Sequence, residues 1–265
     1  AASEMPAFIK LQSPRTLSFV TDDESDQPAI EVQQFKVEDK DRLQAVFELI
    51  CTLGGRSTIL FCNQRSIVQQ VSTVLKEKGL PNVFYHGSME QRDRDTALNR
   101  FRNGTVNLLV TTDLASRGLD IPHIRYIIHY QIPETQEVFI HRNGRTARMD
   151  ASGGAIVVLG PDEYLPAYMD QQMPEVKARP DADLPPKTKW VTLYVAAGKK
   201  DKVNKVDIVG FLSKVGKLKK DDIGLIEVKD YSAFVAVSRH KATDALHRIS
   251  DERLKNKKVK IEIAE

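Results

Sequence analysis

Short apolar segments alternate with segments of helical periodicity through the first 160 residues. Residues 57–62 (STILFC) form a short apolar run, and in residues 66–78 the apolar side chains recur every three or four positions. Apolar strands separated by helices are typical of a parallel sheet with helices on both faces. The sequence therefore predicts an α/β domain built on a parallel sheet. The predicted strands are residues 30–37, 57–62, 83–85, 106–111, 126–129 and 155–159, and the predicted helices are residues 40–53, 66–78 and 90–101.

Hydrogen-bonding residues or glycine follow three of the predicted strands. The carboxyl ends of parallel strands meet at one edge of the sheet, which is where open α/β proteins bind their ligands. We therefore expect a ligand-binding site at this edge. The residues concerned are Asn63, Gln64 and Arg65 after the second strand, His86, Gly87 and Ser88 after the third, and Thr111, Thr112 and Asp113 after the fourth.

A proline-rich break separates this region from the rest of the chain. Six prolines interrupt residues 158–189, and the stretch DADLPP at 181–186 has neither helical nor strand periodicity. We interpret residues 173–188 as an extended linker. The predicted boundaries are a lead-in at residues 1–29, a first domain at 30–172 and a second domain at 189–265.

Positive charge is concentrated in the second domain. The chain has a formal net charge of +3, but residues 189–265 carry 18 Lys and Arg against 11 Asp and Glu, a net charge of +7, which leaves −4 for the remainder. A basic excess of this kind is expected of a domain that meets a polyanion such as nucleic acid. A solvated lysine-rich surface without a partner is the alternative.

The cysteines and the apolar runs indicate the compartment. Cys51 and Cys62 are the only cysteines, and both fall in apolar periodic segments, which favours buried free thiols in a reducing compartment over a disulfide. No apolar run approaches the roughly 18–20 residues that cross a bilayer, and the first residues lack the basic start of a signal peptide. We therefore expect a cytoplasmic protein.

The second domain is predicted to have the element order βαββαβ. Its strands are predicted at residues 190–195, 223–228, 231–237 and 258–263, and its helices at 206–215 and 241–249, with a hairpin across Lys229 and Asp230. On the first of these helices, the side expected to pack is formed by Val206, Val209, Gly210 and Phe211. This order of elements resembles the RNA-recognition-motif (RRM) fold.

Residues 141–148 (HRNGRTAR) hold three arginines and a histidine around one glycine. Arg145 and Arg148 are three positions apart, so on a helical turn they would point the same way. Two guanidinium groups on one side suit a cluster of phosphate oxygens, because each binds oxygens bidentately and keeps its charge. A solvated basic helix end is the alternative interpretation.

A second dense motif occupies residues 110–122 (VTTDLASRGLDIP). Gly118 would let the backbone approach a ligand closely, and the Asp120 carboxylate could accept hydrogen bonds from ribose hydroxyls. A structural interpretation has Asp113 capping a short helix that ends at Gly118. Capping does not account for Arg117 or Asp120.

These motifs together resemble those of the second RecA-like lobe of DEAD-box RNA helicases. Residues 59–63 (ILFCN) resemble motif IV, Gly87 with residues 91–94 (QRDR) resembles the Q-x-x-R motif, and residues 112–122 and 141–148 resemble motifs V and VI. The chain departs from the usual motif VI at Asn143 and Ala147, where the family usually has Ile and Gly. The resemblance implies a RecA-like fold for the first domain.

The resemblance implies a role for each matching residue. Arg145 and Arg148 would be arginine fingers that stabilise charge on the γ-phosphate of ATP. Asp120 would hold the ATP ribose, and Gly118 would pass its backbone close to the nucleotide. The residues implied to bridge to the other lobe are His141 and Arg117, and those implied to contact the sugar-phosphate backbone of single-stranded RNA are Asn63, Gly87, Gln91, Arg94 and Thr112.

Two motifs of the family do not occur in the chain. There is no phosphate-binding G-x-x-x-x-G-K-[ST] loop, and no Asp-Glu-Ala-Asp run that would hold Mg²⁺. In the family both belong to the first lobe, and residues 1–6 resemble the segment just beyond that lobe. We therefore expect ATP with Mg²⁺ as cofactor, an N-terminal RecA-like lobe of the same protein as partner, and no ATP hydrolysis by this chain alone.

The second domain resembles the C-terminal domain of DbpA-like bacterial DEAD-box proteins. The resemblance lies in residues 198–202 (GKKDK), 207–210 (DIVG) and 221–224 (DDIG), and residues 193–195 (LYV) resemble the start of an RNP2 strand. In the RNP1 equivalent Phe234 fits one aromatic position but Ser232 occupies another, so base stacking on this sheet is not expected. Asn204 stands where the subgroup tends to carry an arginine. The resemblance implies binding to structured RNA, with phosphate contacts from Lys199, Lys200 and Lys202.

The function predicted from the sequence is that of the second lobe and RNA-tethering domain of an ATP-dependent RNA helicase. Such an enzyme would unwind or remodel structured RNA, with ribosomal RNA as the expected target. A non-catalytic RNA-binding adaptor that retains a RecA-like fold is the alternative from a different class. A DNA-directed helicase of the same superfamily is a third hypothesis, which motif V and the second domain disfavour.

Overall fold

The computed structural model describes residues 30–38, 41–113, 121, 124–146 and 153–265. Its first sheet consists of six parallel strands, and the four most central have two strand neighbours each. The strands are β1 (Glu31–Lys36), β2 (Thr58–Phe61), β3 (Val83–Tyr85), β4 (Leu108–Thr111), β5 (Tyr126–His129) and β6 (Gly154–Leu159). They lie in the order β1-β6-β5-β2-β4-β3. The predicted α/β class with a parallel sheet is confirmed.

Helices cover both faces of this sheet, which is why its inner strands are mostly apolar, whereas the edge strand β1 also carries polar residues. The helices are α1 (Arg42–Thr52), α2 (Arg65–Glu77), α3 (Gln91–Arg102) and α4 (Gln136–Asn143). In β2, Leu60 packs in the same core as α1 and α2, whereas Ile59 and Phe61 pack in the core that contains α3. This alternation follows from the two-residue period of a strand. The buried free thiols predicted at Cys51 and Cys62 are confirmed.

The second sheet is antiparallel and has four strands in the order β12-β7-β9-β8. The remaining strands are β7 (Trp190–Val195), β8 (Ile223–Val228), β9 (Ala233–Ser238), β10 (Arg253–Leu254), β11 (Lys257–Lys258) and β12 (Ile261–Ile263), and the remaining helices are α5 (Lys205–Lys214) and α6 (Arg239–Ile249). The hairpin predicted across Lys229 and Asp230 joins β8 to β9. The small antiparallel domain that the sequence predicts is therefore present.

The final predicted strand is wrong in one respect, because it is divided in two. Lys255 and Asn256 adopt left-handed backbone conformations, with φ of 51° and 64°. They form a tight turn that pairs β10 with β11 as a separate small hairpin. Only residues 261–263 remain to pair with β7. Two consecutive residues with positive φ are the mark of a two-residue hairpin turn.

The packing side predicted for α5 is wrong for its two valines and right for Phe211, which packs against the core of the second domain. Val206 is 78% exposed and Val209 is likewise exposed, whereas Ile208 and Leu212 are buried in the core of the second domain. Ile208 and Leu212 are four positions apart and therefore share a helix face. Val206 points elsewhere on the helix. The valines on α5 are therefore surface residues.

The segment between the two sheets lies against the first sheet's domain. Residues 34 and 175 form an isolated parallel bridge, and the backbone N–H of Arg179 donates to Oγ1 of Thr52 at 2.8 Å. Gly55 has a φ of +70°, and a Cβ placed there would lie 2.5 Å from Cβ of Pro185. Glycine is thus required at Gly55 both by the backbone conformation and by the approach of Pro185.

Within the described residues, no helix combines the length and apolar character of a membrane span.

Candidate functional site

The carboxyl edge of the first sheet brings the predicted polar strand ends together. β2 lies between β5 and β4, and β4 is followed by β3. Because these strands are parallel, Asn63 after β2, Thr112 after β4 and Gly87 after β3 lie along the same edge. Thr112 is buried, Asn63 is half-buried and Gly87 is exposed. A Cβ added to Gly87 would meet no heavy atom of the described residues within 4 Å, so the space on that side of its backbone is open in the described part of the chain.

Arg142 is the largest of the fully buried side chains among the described residues, with 2% of its surface exposed. Its Nε and Nη2 donate to the two carboxylate oxygens of Asp113 at 2.6 and 2.7 Å. Nη2 also donates to Oδ1 of Asn63 at 2.8 Å, and Nη1 donates to the carbonyl of Gln131 at 3.2 Å. The guanidinium carbon lies 5.1 Å from the ring centroid of Phe61. A buried charge needs such pairing, because an unpaired one would be costly.

The same arginine perturbs the groups beside it. Burial and the neighbouring Arg142 charge lower the pKa of His129 to about 3, so its imidazole is neutral at physiological pH. Nε2 of His129 lies 2.9 Å from Oδ1 of Asn143, and Oδ1 can only accept, so Nε2 carries the hydrogen. Burial raises the pKa of the Cys62 thiol to about 12. Cys62 is therefore not a reactive thiol.

The residues of the predicted Q-x-x-R motif lie on the first turn of α3. Nε and Nη2 of Arg94 both donate to the hydroxyl of Tyr85, at 3.1 and 2.7 Å. Nε2 of Gln91 donates to Oδ1 of Asp95 at 2.8 Å, and Gln91 is exposed. Tyr85 is the last residue of β3, so it anchors Arg94 near the carboxyl edge. The structure thus places Arg94 in contact with the last residue of β3, two positions before Gly87.

The arginine-rich segment is described only as far as Thr146, so the helical turn predicted to carry both Arg145 and Arg148 stays a prediction. Helix α4 ends at Asn143 and Gly144 is its C-cap, so Arg145 lies beyond the helix. The backbone N–H of Arg145 still donates to the carbonyl of Arg142 at 3.1 Å, and Arg145 is half-buried. His141 is exposed, with Nδ1 3.9 Å from Oε1 of Glu137. Arg148 lies outside the described residues.

Motif V is described only in part. Arg117, Gly118 and Asp120 lie outside the described residues, so their predicted roles stay predictions. The carboxylate of Asp113 pairs with Arg142, which gives this residue a contact that helix capping alone does not explain. Within the part of the chain that the structure covers, no group of three or more His, Cys, Asp or Glu is arranged to hold a metal ion.

The predicted phosphate-binding lysines lie on the loop between β7 and α5. Lys199, Lys200 and Lys202 are all exposed. A Cβ at Gly198 would lie 2.2 Å from the carbonyl oxygen of Lys229, so only glycine allows the loop to approach the β8–β9 turn this closely. Asn204 caps α5, because its side chain accepts from the backbone N–H of Asp207 at 3.0 Å. The residue at the departure from the family pattern therefore has a structural role here.

The aromatic pair of the second sheet lies next to the first domain. The rings of Tyr194 and Phe234 meet edge-on, with centroids 5.6 Å apart, and Phe234 is only 1% exposed. The guanidinium carbon of Arg92, on α3, lies 5.1 Å from the ring centroid of Tyr194. The Phe234 ring is therefore closed to bases in the described arrangement, whereas Tyr194 is half-buried and lines an open cleft between α3, α6 and β12.

Polar contacts hold α3 against the second sheet. Nδ2 of Asn103 donates to Oγ1 of Thr192 at 3.2 Å, and Oγ1 of Thr105 shares a hydrogen with the same atom at 2.7 Å. All three residues are buried. Ion pairs between Arg102 and Glu227 and between Lys229 and Asp95 flank them. The two domains therefore contact each other through a specific interface.

Sequence reasoning did not assign a role to Arg142 or to His129. Arg142 is part of the HRNGR segment, where all the arginines look alike as potential phosphate ligands. The available signal was that polar residues follow β2 and β4, since a buried guanidinium needs acceptors at neighbouring strand ends. Which arginine takes that position depends on where α4 ends.

Comparison with known proteins gives two family matches. Residues 41–150 match the model described as "Helicase conserved C-terminal domain", and residues 192–263 match the "DbpA RNA binding domain". The curated "ATP-dependent RNA helicase DbpA" of Escherichia coli is 34% identical over 242 residues, which are 89% of this chain and 53% of that protein. The protein of the same description from Bacillus subtilis is 28% identical over 260 residues, 88% of this chain and 54% of that protein.

The chain thus spans about half the length of these curated relatives. Among solved structures, the crystal structure of the E. coli DEAD-box protein SrmB bound to regulator of ribonuclease activity A aligns over 50% of this chain and 78% of that chain. The TM-score is 0.47 and the identity is 31%. The two family matches follow one another along most of the chain, which therefore carries a helicase C-terminal domain followed by a DbpA-type RNA-binding domain and is similar over most of its length to curated DbpA proteins.

Proposed function

We propose that this chain is the second lobe and RNA-tethering domain of an ATP-dependent RNA helicase. The observation that carries the proposal is the Arg142 cluster, which joins the strand ends bearing the expected RNA contacts to the segment bearing Arg145. The printed descriptions of the relatives, "ATP-dependent RNA helicase DbpA", support the activity. The proposed domains are residues 30–172 and 189–265, joined by residues 173–188.

ATP is the proposed nucleotide, held between this lobe and an N-terminal RecA-like lobe. Arg145 and Arg148 would bind the γ-phosphate, since guanidinium groups suit developing charge on phosphate oxygens. Gly118 and Asp120 would contact the rest of the nucleotide, and Arg117 and His141 would contact the other lobe. The exposure of His141 supports its part in this proposal. Mg²⁺, when bound, would neutralise charge on the β- and γ-phosphates, with its ligands in the N-terminal lobe.

Single-stranded RNA is the proposed ligand of the carboxyl edge of the first sheet. Asn63, Gly87, Gln91, Arg94 and Thr112 would contact its sugar-phosphate backbone. The open backbone at Gly87 and the exposed Gln91 support this site. Contacts to phosphate and sugar position the strand without reading its sequence, as a general remodelling enzyme requires.

Structured RNA is the proposed ligand of the second domain. Its Phe234 ring is covered, so binding would depend on Lys199, Lys200 and Lys202, which extend from an exposed loop. The net charge of +7 in residues 189–265 supports a polyanionic partner. Ribosomal RNA is the proposed target, and one similar curated protein is described as "ATP-dependent rRNA helicase RRP3".

The test is RNA-stimulated ATP hydrolysis by the full-length gene product, with this chain alone as a control. The proposal expects turnover that rises with added RNA in the full-length protein and no turnover by residues 1–265 alone. RNA binding without turnover in the full-length protein would instead support the non-catalytic adaptor. Stimulation by single-stranded DNA equal to that by RNA would support a DNA-directed helicase.

A further inference from the structure

We propose that Arg142 is a positioning residue that couples RNA binding at the carboxyl edge to the placement of Arg145. The inference rests on the proposed helicase function and deepens it, because it names the connection between the two expected ligand sites. No role for Arg142 follows from its position in the arginine-rich segment alone.

The guanidinium group of Arg142 joins three loops. It makes four hydrogen bonds, to Asp113 after β4, to Asn63 after β2, and to the Gln131 carbonyl after β5. The donors of a guanidinium group lie in one rigid plane. A shift of any of these loops must therefore move the group, or break one of its hydrogen bonds.

Two of the loops that Arg142 joins carry expected RNA contacts. Asn63 is itself one of them, and Thr112 precedes Asp113 directly. One hydrogen of the Asn63 amide is used internally, since Nδ2 donates to the carbonyl of Ile132 at 3.0 Å. A phosphate that engages the amide would therefore pull on a side chain whose oxygen is held by Arg142.

Arg142 is also directly connected to Arg145. Arg142 lies in the last turn of α4, and its carbonyl accepts the backbone N–H of Arg145 at 3.1 Å. Only Asn143 and Gly144 separate the two residues. Asn143 is itself fixed by His129 on β5. Movement of Arg142 would therefore move the end of α4 and the arginine that follows it.

The side chains around Arg142 are tightly packed. Arg142 is almost completely buried and packs on Phe61, and close-packed interiors transmit displacements rather than absorb them. Catalysis is sensitive to such displacements, because a misplacement of about 1 Å can cost about 10²-fold in rate. A purely structural ion pair would contribute to stability and leave the response to RNA unchanged.

The test is steady-state ATP hydrolysis by the full-length protein carrying Arg142→Lys. Lysine keeps the charge but cannot bond Asp113 and Asn63 at once through a planar fork. The expected result is a fall of tenfold or more in kcat at saturating RNA, to about 10²-fold at most. The KM for ATP and the Kd for RNA should change by less than about threefold, because the contacts to both ligands remain. RNA stimulation, which is the ratio of kcat with RNA to kcat without RNA, should fall together with kcat at saturating RNA.

Arg42→Lys is the matched control. Arg42 is a half-buried arginine of the same domain that is paired with Glu163 and donates to the carbonyl of Tyr130 at 3.2 Å, and it lies outside the expected ligand contacts. It should lower the Tm and leave RNA stimulation unchanged. If Arg142→Lys does not fold, Asp113→Asn, which preserves shape, replaces it with the same expectation.

The outcomes separate this inference from the proposed function. If the wild-type full-length protein shows no RNA-stimulated turnover, the proposed function fails. If the wild type is stimulated and folded Arg142→Lys is stimulated equally, the function stands and the coupling role of Arg142 is overturned. If Arg42→Lys loses stimulation to the same degree, the effect is one of general stability and the inference is also overturned.

Discussion

Arg102, in the last turn of α3, donates a hydrogen bond from Nη1 to Oε2 of Glu227 on β8 at 3.1 Å, across the boundary between the two domains. Both side chains are less than one-third exposed, so solvent screens the pair only partly. The pair flanks the buried hydrogen bonds made by Thr192. The orientation of the RNA-binding domain therefore depends on a few identifiable contacts.

Reversing either charge of this pair should weaken the docking of the two domains. Arg102→Glu sets two carboxylates against each other, and Glu227→Arg sets two guanidinium groups against each other. Each should cost about 1–2 kcal/mol of docking free energy. The rotational correlation time of the second domain, measured by ¹⁵N relaxation, should then fall below that of the first. The double exchange should restore it, and equal correlation times in both single variants would contradict the prediction.

His129 should make the stability of the first domain depend on pH. Its folded-state pKa of about 3 lies below the ordinary value near 6.5, so between these values the unfolded chain binds a proton that the folded chain does not. The contribution of the neutral His129 imidazole to the free energy of unfolding is complete above pH 6.5. It is lost as the pH falls below that value, by about 1.4 kcal/mol per pH unit. His86, whose pKa burial also lowers, acts in the same direction.

His129→Gln tests this assignment. Glutamine does not titrate, so the slope of unfolding free energy against pH between 6.5 and 5 should decrease by about one proton. Urea unfolding at a series of pH values measures the slope. An unaltered slope in His129→Gln would show that the imidazole is not held neutral.

Arg145→Ala should lower RNA-stimulated turnover by the full-length protein by about 10³-fold or more, which is the typical contribution of an arginine finger. The KM for ATP should change far less, because a finger acts mainly on charge that develops during phosphoryl transfer. Steady-state hydrolysis at saturating RNA measures the effect. If turnover is retained, the segment after α4 is not part of the catalytic site.

Replacing Lys199, Lys200 and Lys202 together with alanine should weaken binding of structured RNA and reduce its salt dependence. Each lost phosphate contact lowers the slope of log K against log salt by about 0.7–0.9, so the slope should decrease by about 2–3. Fluorescence anisotropy over a salt series measures it. Lys214, Lys217 and Lys220, near the other end of α5, form a control triple with the same change in charge. Equal effects of both triples would indicate a diffuse electrostatic surface and no defined site.

Periodicity predicted most of the fold, because the burial of strands and helices in the first domain determines where apolar residues recur in the sequence. The apolar run before Asn63 and the helical spacing after it correspond closely to β2 and α2. Patterning was least reliable where the backbone conformation is local and unusual. Lys258 pairs with Arg253 in a small hairpin whose turn is formed by Lys255 and Asn256, so only the end of the last predicted strand joins the second sheet, and no glycine indicated that turn. On α5, apolar residues on more than one side made the buried side ambiguous, and Val206 proved exposed.

The sequence alone determined the class of both domains, their order and the residue types gathered at the sheet edge, since these depend on periodicity, composition and motif spacing. Which arginine is buried and which lies beyond the helix end depends on how the strands and α4 pack together. Arg142 is distinguished from Arg145 by acceptors at residues 63, 113 and 131, which lie far apart in sequence and meet only when the strands are ordered. The contact of Arg92 with the Tyr194 ring also depends on the fold, because α3 belongs to the other domain.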